Sequence, residues 1–449
     1  VTQTKPKPVS KAGRKVGLDA LAEAGRVAAC APSGRRVLAF ILVTILLDSM
    51  ALGMVAPVLP RLVTQLLAGH ALSPRLMRHL PGGTVSTAAA VYGLFNTMFA
   101  LMQFFFSPVI GSLSDRFGRR PLILASNAGL GLNYVLMAWA PTLQWLFIGR
   151  LICGVTGASF GTASAYIADI TPPEKRPAAF GMIGAAFGVG LVIGPALGGL
   201  LGEYGLRLPF IVAAGLSLAN AAYGFLVLPE SLPPLLRIGF SWKRANPVGA
   251  LALLRRHPEL SGLAAVGFLS NLAQVSLVST VVLYAMHRYG WTSGTVGLAL
   301  TMTGVALVIV QVGVVGPVVK RVGNRAALVV GLIFGALGMV WAGVAPTGAL
   351  FWLGIPIIAL WGLAGAANQT LMTRHVDAAE QGQLQGANAS LTGISELLGP
   401  LTFSLTFAYF VTPGHKIWEA GAPFLLGGAI LIGAAVWAFV ATRSEHEPA

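Results

Sequence analysis

The sequence predicts an all-α polytopic membrane protein: twelve transmembrane helices in two pseudo-symmetric six-helix bundles. Three observations predict it. The 449-residue chain is 55% hydrophobic and only 10% charged, where a soluble globular chain carries about 25% charged residues; its mean hydropathy is +0.76. Apolar segments near or above the roughly 20 residues that cross a bilayer core recur along its length. Short strings of the first half return in the second at one fixed offset. The 56 glycines fit the same class, because small residues let membrane helices approach closely.

The apolar segments fall at 37–58, 84–110, 120–140, 143–168, 177–201 and 207–228, then at 260–285, 294–318, 325–345, 350–372, 383–411 and 419–440. With the amino end inside, 23 of the 30 Lys and Arg are cytoplasmic; Arg61, Arg75, Arg78, Arg207, Arg288 and Lys416 fall outside, and Arg150 lies in a span. That is a strong positive-inside bias. The net charge of +15 therefore reads as topology rather than nucleic-acid binding, and both termini are expected in the cytoplasm. Residues 1–36 form a basic tail, too polar and long before its apolar run to resemble a usual signal peptide. Residues 37–228 form the first bundle, 229–259 a basic, proline-bearing linker, 260–441 the second bundle and 442–449 a short tail. Within the linker, Pro247 to Arg256 is expected to lie as an interfacial helix.

The repeat carries the duplication. Gly111, Arg116, Gly118 and Arg120 recur 205 residues later as Gly316, Arg321, Gly323 and Arg325; the same offset takes Gly181 to Gly386 and Gly194–Pro195 to Gly399–Pro400. Duplicated halves are a mark of secondary transporters, whose site lies near the midplane between them.

Asp48 sits inside the apolar run VLAFILVTILLDSMALGMVAP. A charge at the centre of a span costs about 2.5–3.5 kcal/mol on insertion scales and usually marks a transport path. Glu396, in GISELLGP, places a second acid halfway along the eleventh span. For each, the rival reading is a structural acid paired with a neighbouring helix. Arg150 opens the fourth span and either tunes the cavity or snorkels to the interface. Asn96, Gln103, Asn133, Asn271, Gln274, Gln311, Asn368 and Gln369 are expected to face the interior, since lipid-facing amides are unfavourable. Phe95, Phe99, Phe187 and Trp361 are candidates for an apolar substrate wall. In GSLSDRFGRRPL, Gly111 and Gly118 permit a tight turn, while Asp115, Arg116, Arg119 and Arg120 are suited to latching helix ends; Asp169, Glu174, Asp377 and Glu380 are candidate latch partners. Gly190, Gly194, Pro195 and Gly198 allow tight contact and a bend in the fifth span. The 61–83 stretch reads as an outer loop that caps the mouth. Its His70 and His79 lack further ligands for a metal, and Cys30 and Cys153 make no disulfide framework.

The string at 111–122, RLICGVTGA at 150–158 and GVGLVIGPALGG at 188–199 resemble signatures of the major facilitator superfamily, in its drug:proton antiporter branch. LDSMALGMVAPVLP, AYIADIT and GQLQG are similar to strings of the tetracycline efflux group. The resemblance implies proton-coupled export in a bacterial inner membrane, by a monomer surrounded by lipid, with no cofactor. It implies a coupling role for Arg150 and a gating role for the 188–199 glycines. It also implies acids in the third and ninth spans, where this chain has Asn133 and Gly335, and Lys320 stands where the first half has Asp115. Glu396 is then a candidate replacement. A facilitator or importer of a metabolite, and a non-transporting sensor or scaffold, are the rival functions. No nucleotide loop, zinc spacing or nucleophile set supports an enzyme.

Overall fold

The computed structural model describes residues 34–69, 83–157, 160–172, 175–242, 246–247, 249–251, 253–254, 257–376 and 381–442. Among them the regular elements are helical. The first group is α1 (Gly34–Val55), α2 (Leu59–Gly69), α3 (Thr84–Phe117), α4 (Arg119–Ala138), α5 (Leu143–Thr156), α6 (Phe160–Ile170), α7 (Arg176–Tyr204) and α8 (Leu208–Val227). The second is α9 (Pro258–Tyr289), α10 (Ser293–Ile309), α11 (Val315–Val344), α12 (Gly348–Ala359), α13 (Gly362–Arg374), α14 (Gln381–Phe410) and α15 (Ala422–Ala441). A π-helical turn, Val310–Val314, joins α10 to α11.

Ten helical stretches are long and apolar enough to cross a membrane, fewer than the twelve expected. The difference lies in two places. Ser293–Val344 counts once although it is 52 residues long, about 78 Å of helix against a core of about 30 Å. Its helix breaks at Gly323, where φ is 77° and ψ 167°. The repeat partner Gly118 makes the same break between α3 and α4, with φ 107° and ψ 158°. A side chain is strained at such angles, so glycine at both positions turns the chain through the same corner in each half. The other place is α14, 30 residues long but too rich in polar residues to pass the hydropathy criterion.

The duplicated corners are held alike. Arg120 donates from Nη2 to the Phe225 carbonyl (2.7 Å) and lies 5.6 Å from that ring's centre; Arg325 donates to the Phe439 carbonyl (3.3 Å) and lies 5.3 Å from its ring. Each arginine ties the start of one helix to the end of another, α4 to α8 and α11 to α15.

Within the first group α1 packs on α7, α3 on α5 and α4 on α8; within the second, α9 packs on α14 and α15, and α11 on α13 and α15. Two seams join the groups, α3 against α14 and α7 against α10.

The 61–83 stretch differs from expectation. Its first part continues as α2, amphipathic with Leu59, Leu62, Val63 and Leu66 buried at helical spacing. Arg75, Arg78, His70 and His79 lie outside the described residues, as do Cys30, Glu174, Asp377 and Glu380. Of the helix expected over Pro247 to Arg256, the described residues include a 3-10 turn, Gly249–Leu251, and helical Leu253 and Leu254, and Ser390 Oγ donates to the Pro247 carbonyl (2.5 Å).

Candidate functional site

The seam between α7 and α10 is closed at one end only. Near its closed end a Cβ added at Gly199 would lie 2.6 Å from the Ser293 carbonyl and 3.0 Å from Gly297 Cα. Farther along, Thr301 Oγ1 donates to the Val192 carbonyl (2.9 Å). Beyond Val192 the helices part: nothing lies within 4 Å of a Cβ at Gly181, Gly184, Gly188, Gly313 or Gly316, and Phe180, Met182 and Val312 are exposed. The molecule is sealed at the Glu203 end and open at the Arg119 end.

The seal is polar at its rim. Glu203, at the end of α7, accepts from the Gly294 backbone N–H (2.6 Å) in the first turn of α10, and Arg61 Nη1 of α2 donates to Ser293 Oγ (2.9 Å). A carboxylate at a helix N-terminus meets unpaired N–H groups and the positive end of the helix dipole. At this exposed site the charge is worth about 1 kcal/mol. Glu203→Gln is expected to shift the population about fivefold away from the sealed state, read by spin-label distances between α7 and α10. An unchanged distance distribution would exclude this contact as a gate. A cleft of about 970 Å³ at this end is lined by Arg61, Gln65, Glu203, Arg207, His287 and Trp291 among others; none of the expected substrate residues borders it.

At the open end the charged loop is a closed network. Arg119 Nη1 pairs with Asp115 (2.6 Å) and its Nε with Asp169 (3.3 Å). Ser231 Oγ also donates to Asp169 (3.0 Å). Glu230 accepts from the Arg119 backbone N–H (2.8 Å) at the start of α4 and lies 3.9 Å from Arg237. A Cβ at Gly118 would collide with that carboxylate, a second reason for glycine there. Arg116 lies over the Phe117 ring, 5.1 Å from its centre, and Gly111 has open space. Of the expected latch residues, the structure thus joins Asp115, Arg119 and Asp169, turns Arg120 to Phe225, and leaves Arg116 at the rim. Glu230 and Glu203 escaped the sequence reading: single acids just beyond an apolar run look like solvated loop residues.

Between the two ends lies the buried chemistry. Gly190, Gly194 and Gly198 recur every fourth residue on one face of α7 and press on α1; a Cβ at Gly194 would lie 2.5 Å from the Met50 carbonyl and 2.8 Å from Gly53 Cα. The Pro195 ring also lies against Gly53 of α1, while the Pro195 carbonyl and Gly199 face the other way, onto Gly297 of α10. Gly190 meets Ser49, so Asp48 stands level with the point where α7 and α10 part. Asp48 Oδ1 is buried with no hydrogen-bond partner among the described residues.

Arg150 is 5% exposed, which excludes snorkelling. Its Nη2 donates to Asn96 Oδ1 (2.8 Å), its guanidinium lies 4.5 Å from the centre of the Phe99 ring, and its Nε has no partner among the described residues. The charges of Asp48 and Arg150 both act on Tyr134 and Cys153, yet no ion pair joins the two among the described residues. The bundle interior holds an acid and a base that share neighbours and stay apart.

Asn96 and Gln103 are seven residues apart on one face of α3, turned from its exposed Leu94 and Phe105. Glu396 lies on α14 between the face that meets α3, through Gly393 against Phe104, and the face that meets α9, through Gly399 against Val275. Exposed Leu398, Leu405 and Tyr409 are on the opposite side of that helix, so Glu396 points inward between the groups. Asn271 Nδ2 donates to Thr392 (3.0 Å) and Asn388 Nδ2 to Gln369 (2.9 Å), while Asn368 Oδ1 has no partner among the described residues. Gln274 is exposed one turn from Asn271, and Gln311 is exposed on the π-helical turn. Three sequence expectations are corrected. Asn133 is buried against Met137 and Gly149 inside the first group, so it borders no open space. Phe95 is buried against Phe147. Trp361 covers Gly335, whose added Cβ would lie 2.8 Å from its ring, and donates to Ser270 (3.0 Å). There is no room for an acid at Gly335.

Comparison with known proteins decides the family. The profile described as Major Facilitator Superfamily matches residues 41–400 and 266–449. The chain belongs to that superfamily. It is 36% identical over 390 residues to the class C tetracycline resistance protein of Escherichia coli, covering 86% of this chain and 93% of that one. To the class G protein of Vibrio anguillarum it is 36% identical, covering 84% and 92%. Among solved structures, the human organic anion transporter MFSD10 (TETRAN) matches with a TM-score of 0.67 at 22% identity, covering 91% of this chain and 100% of that one. A bacterial homolog of the human lysosomal transporter Spinster, inward-facing and occupied, matches at 0.70 and 17%, covering 92% and 99%. This superfamily member is a multi-pass membrane transporter and not an enzyme, and the two curated relatives named here are tetracycline resistance proteins.

Proposed function

We propose that this transporter exports a small amphipathic organic compound in exchange for protons, by alternating access. The observation that carries the reading is Asp48: a half-buried carboxylate in a membrane-spanning helix, its Oδ1 buried with no partner among the described residues, level with the apex of the opening. Arg150, elsewhere in the same bundle, is a buried cation held by a neutral amide. Such a pair responds to protonation, because neutralising one charge changes the field at the other. The tetracycline resistance proteins that the chain resembles favour a drug as cargo. Ser293–Val344, split at Gly323, supplies two crossings and α14 one more, which restores twelve. The protein works as a monomer in the inner membrane of a bacterium, within lipid. Its first bundle covers 37–228 and its second 260–441, joined by the 229–259 linker. By the positive-inside rule both termini and the open end face the cytoplasm. The structure is then the state that loads cargo from inside.

The test is a screen of tetracyclines and other amphipathic drugs in proteoliposomes with an imposed pH gradient, following drug and proton together. Drug and proton moving in opposite directions are expected. Drug flux indifferent to the gradient would make the protein a facilitator, and binding without flux a sensor. In the same assay Glu396→Gln is expected to lower gradient-driven flux by about tenfold or more with protein abundance intact. Normal flux in that variant would reduce Glu396 to a cavity-wall residue.

A further inference from the structure

One turn or more below Asp48, toward the open end, four helices each contribute a buried polar side chain: Thr44 from α1, Asn127 from α4, Thr162 from α6 and Asn220 from α8. Their levels agree. Thr44 Oγ1 donates to Asn220 Oδ1 at 3.3 Å. Across α4 and α8, Gly131 meets Leu218 and Leu124 meets Gly224, so Asn127 lies level with the turn that holds Asn220. On α4, Asn127 and Tyr134 are seven residues apart, hence on one face, between the side that packs on α5 and the side that packs on α8. On α1, Thr44 and Asp48 are four apart and also share a face. The layer beneath is apolar: Phe40, Ile41, Ile123, Tyr166 and Ile183 are buried together.

These side chains are short of partners. Asn127 Nδ2 and Oδ1, Asn220 Nδ2, Thr162 Oγ1 and Asp48 Oδ1 are all buried with no hydrogen bond among the described residues. Asn127, 1% exposed, lacks a partner at both ends of its amide. Buried amides left bare are strongly unfavourable, and proteins resolve them with internal water that makes about three hydrogen bonds. Neither tight packing nor a helix cap accounts for two asparagines and two threonines buried in one bundle with so few partners.

We propose that Thr44, Asn127, Thr162 and Asn220 hold internal water inside the amino-terminal bundle, and that this water passes protons between Asp48 and the open end when the apolar layer of Phe40, Ile41, Ile123, Tyr166 and Ile183 parts to admit it. The proposal rests on the proton-exchange reading above. Each water accepts a proton on one side and releases one on the other, so one proton leaves the solvent at the open end and one arrives at the Asp48 carboxylate; the reverse run discharges it. The amides and hydroxyls position the water and are not themselves protonated. Around Asp48 the titratable or charged groups among the described residues are Tyr134 from α4 and Arg150 and Cys153 from α5. α7 offers glycine there and α8 offers Asn220. The proton route is thereby separate from the drug route, which runs between the bundles.

The experiment uses the full chain in proteoliposomes and three variants, Asn127→Leu, Asn220→Leu and Asn127→Ser. Radiolytic hydroxyl labelling, which marks side chains beside bound water, is expected at Ile123 and Ile41 in the native chain and to fade in the two leucine variants. Gradient-driven drug flux is expected to fall at least tenfold in those variants, with drug–drug exchange at equal pH within twofold of native, and Asn127→Ser is expected to restore it. Absent labelling in the native chain overturns the proposal, and so does gradient-driven flux that Asn127→Leu leaves within twofold. Labelling without any proton flux in the native chain would instead overturn the antiport reading and leave the hydrated site standing.

Discussion

Asp48→Asn is expected to abolish gradient-driven export while leaving the protein folded. The side chain keeps its size and its oxygen, but it cannot take up and release a proton at neutral pH. A positioned proton-transfer group contributes about 100-fold to 10,000-fold, so a loss of at least about 100-fold in flux under a pH gradient is the expected reading in proteoliposomes. Stability should move the other way. A carboxylate with one oxygen buried and without a partner among the described residues opposes folding, and the neutral amide removes that charge. The thermal midpoint in detergent should therefore equal or exceed that of the native chain. Retained flux, or a fall in the midpoint, would show that Asp48 is a structural acid after all. Drug–drug exchange at equal pH provides a further control, since it needs the cavity but not the proton.

The second large effect concerns two glycines on one helix. Gly194→Ala is expected to destabilise the protein by about 1–3 kcal/mol, the usual cost of overpacking, because the added carbon meets the Met50 carbonyl and Gly53 Cα, backbone atoms that cannot swing aside. Gly188→Ala, less than two turns away, meets nothing within 4 Å. There alanine gains its intrinsic helix advantage of up to about 1 kcal/mol. The thermal midpoints of the two variants, measured side by side by fluorescence-detected size exclusion, should fall on opposite sides of native. Equal midpoints would mean that α1 and α7 are not in contact in the populated state.

Much of this was legible in the sequence. Low charge, apolar runs and the 205-residue offset gave the fold class, and Gly118 with Gly323 turned out to be the same corner built twice. Asp48 was legible because a charge stands out in a run of aliphatic residues. Asn133 was misread for the converse reason: an amide in a span says that a polar group is inside, but not whether inside means the cavity or the packed interior of one bundle. Only the positions of Met137 and Gly149 settle that. The sequence reading of a span at 383–411 stays an expectation, since α14 carries amides and Glu396 and is less apolar than the ten stretches able to cross a membrane. Glu203 and Glu230 were hard to see because each accepts from backbone N–H groups, which have no letter in the sequence.

That last point has a genetic consequence at the sealed rim. Glu203 grips α10 through the amide of Gly294, with the Thr292 hydroxyl of the same turn as a second partner. A charge-reversal screen would find no compensating change at residue 294: the amide is present whatever residue stands there, and proline alone removes it. Second-site suppressors of a Glu203 defect should therefore gather on the side chains that share the rim, Arg61 in the first bundle and Thr292 and Ser293 in the second. The gate can be retuned by inheritance from either half of the duplication, but not at the residue whose amide Glu203 holds.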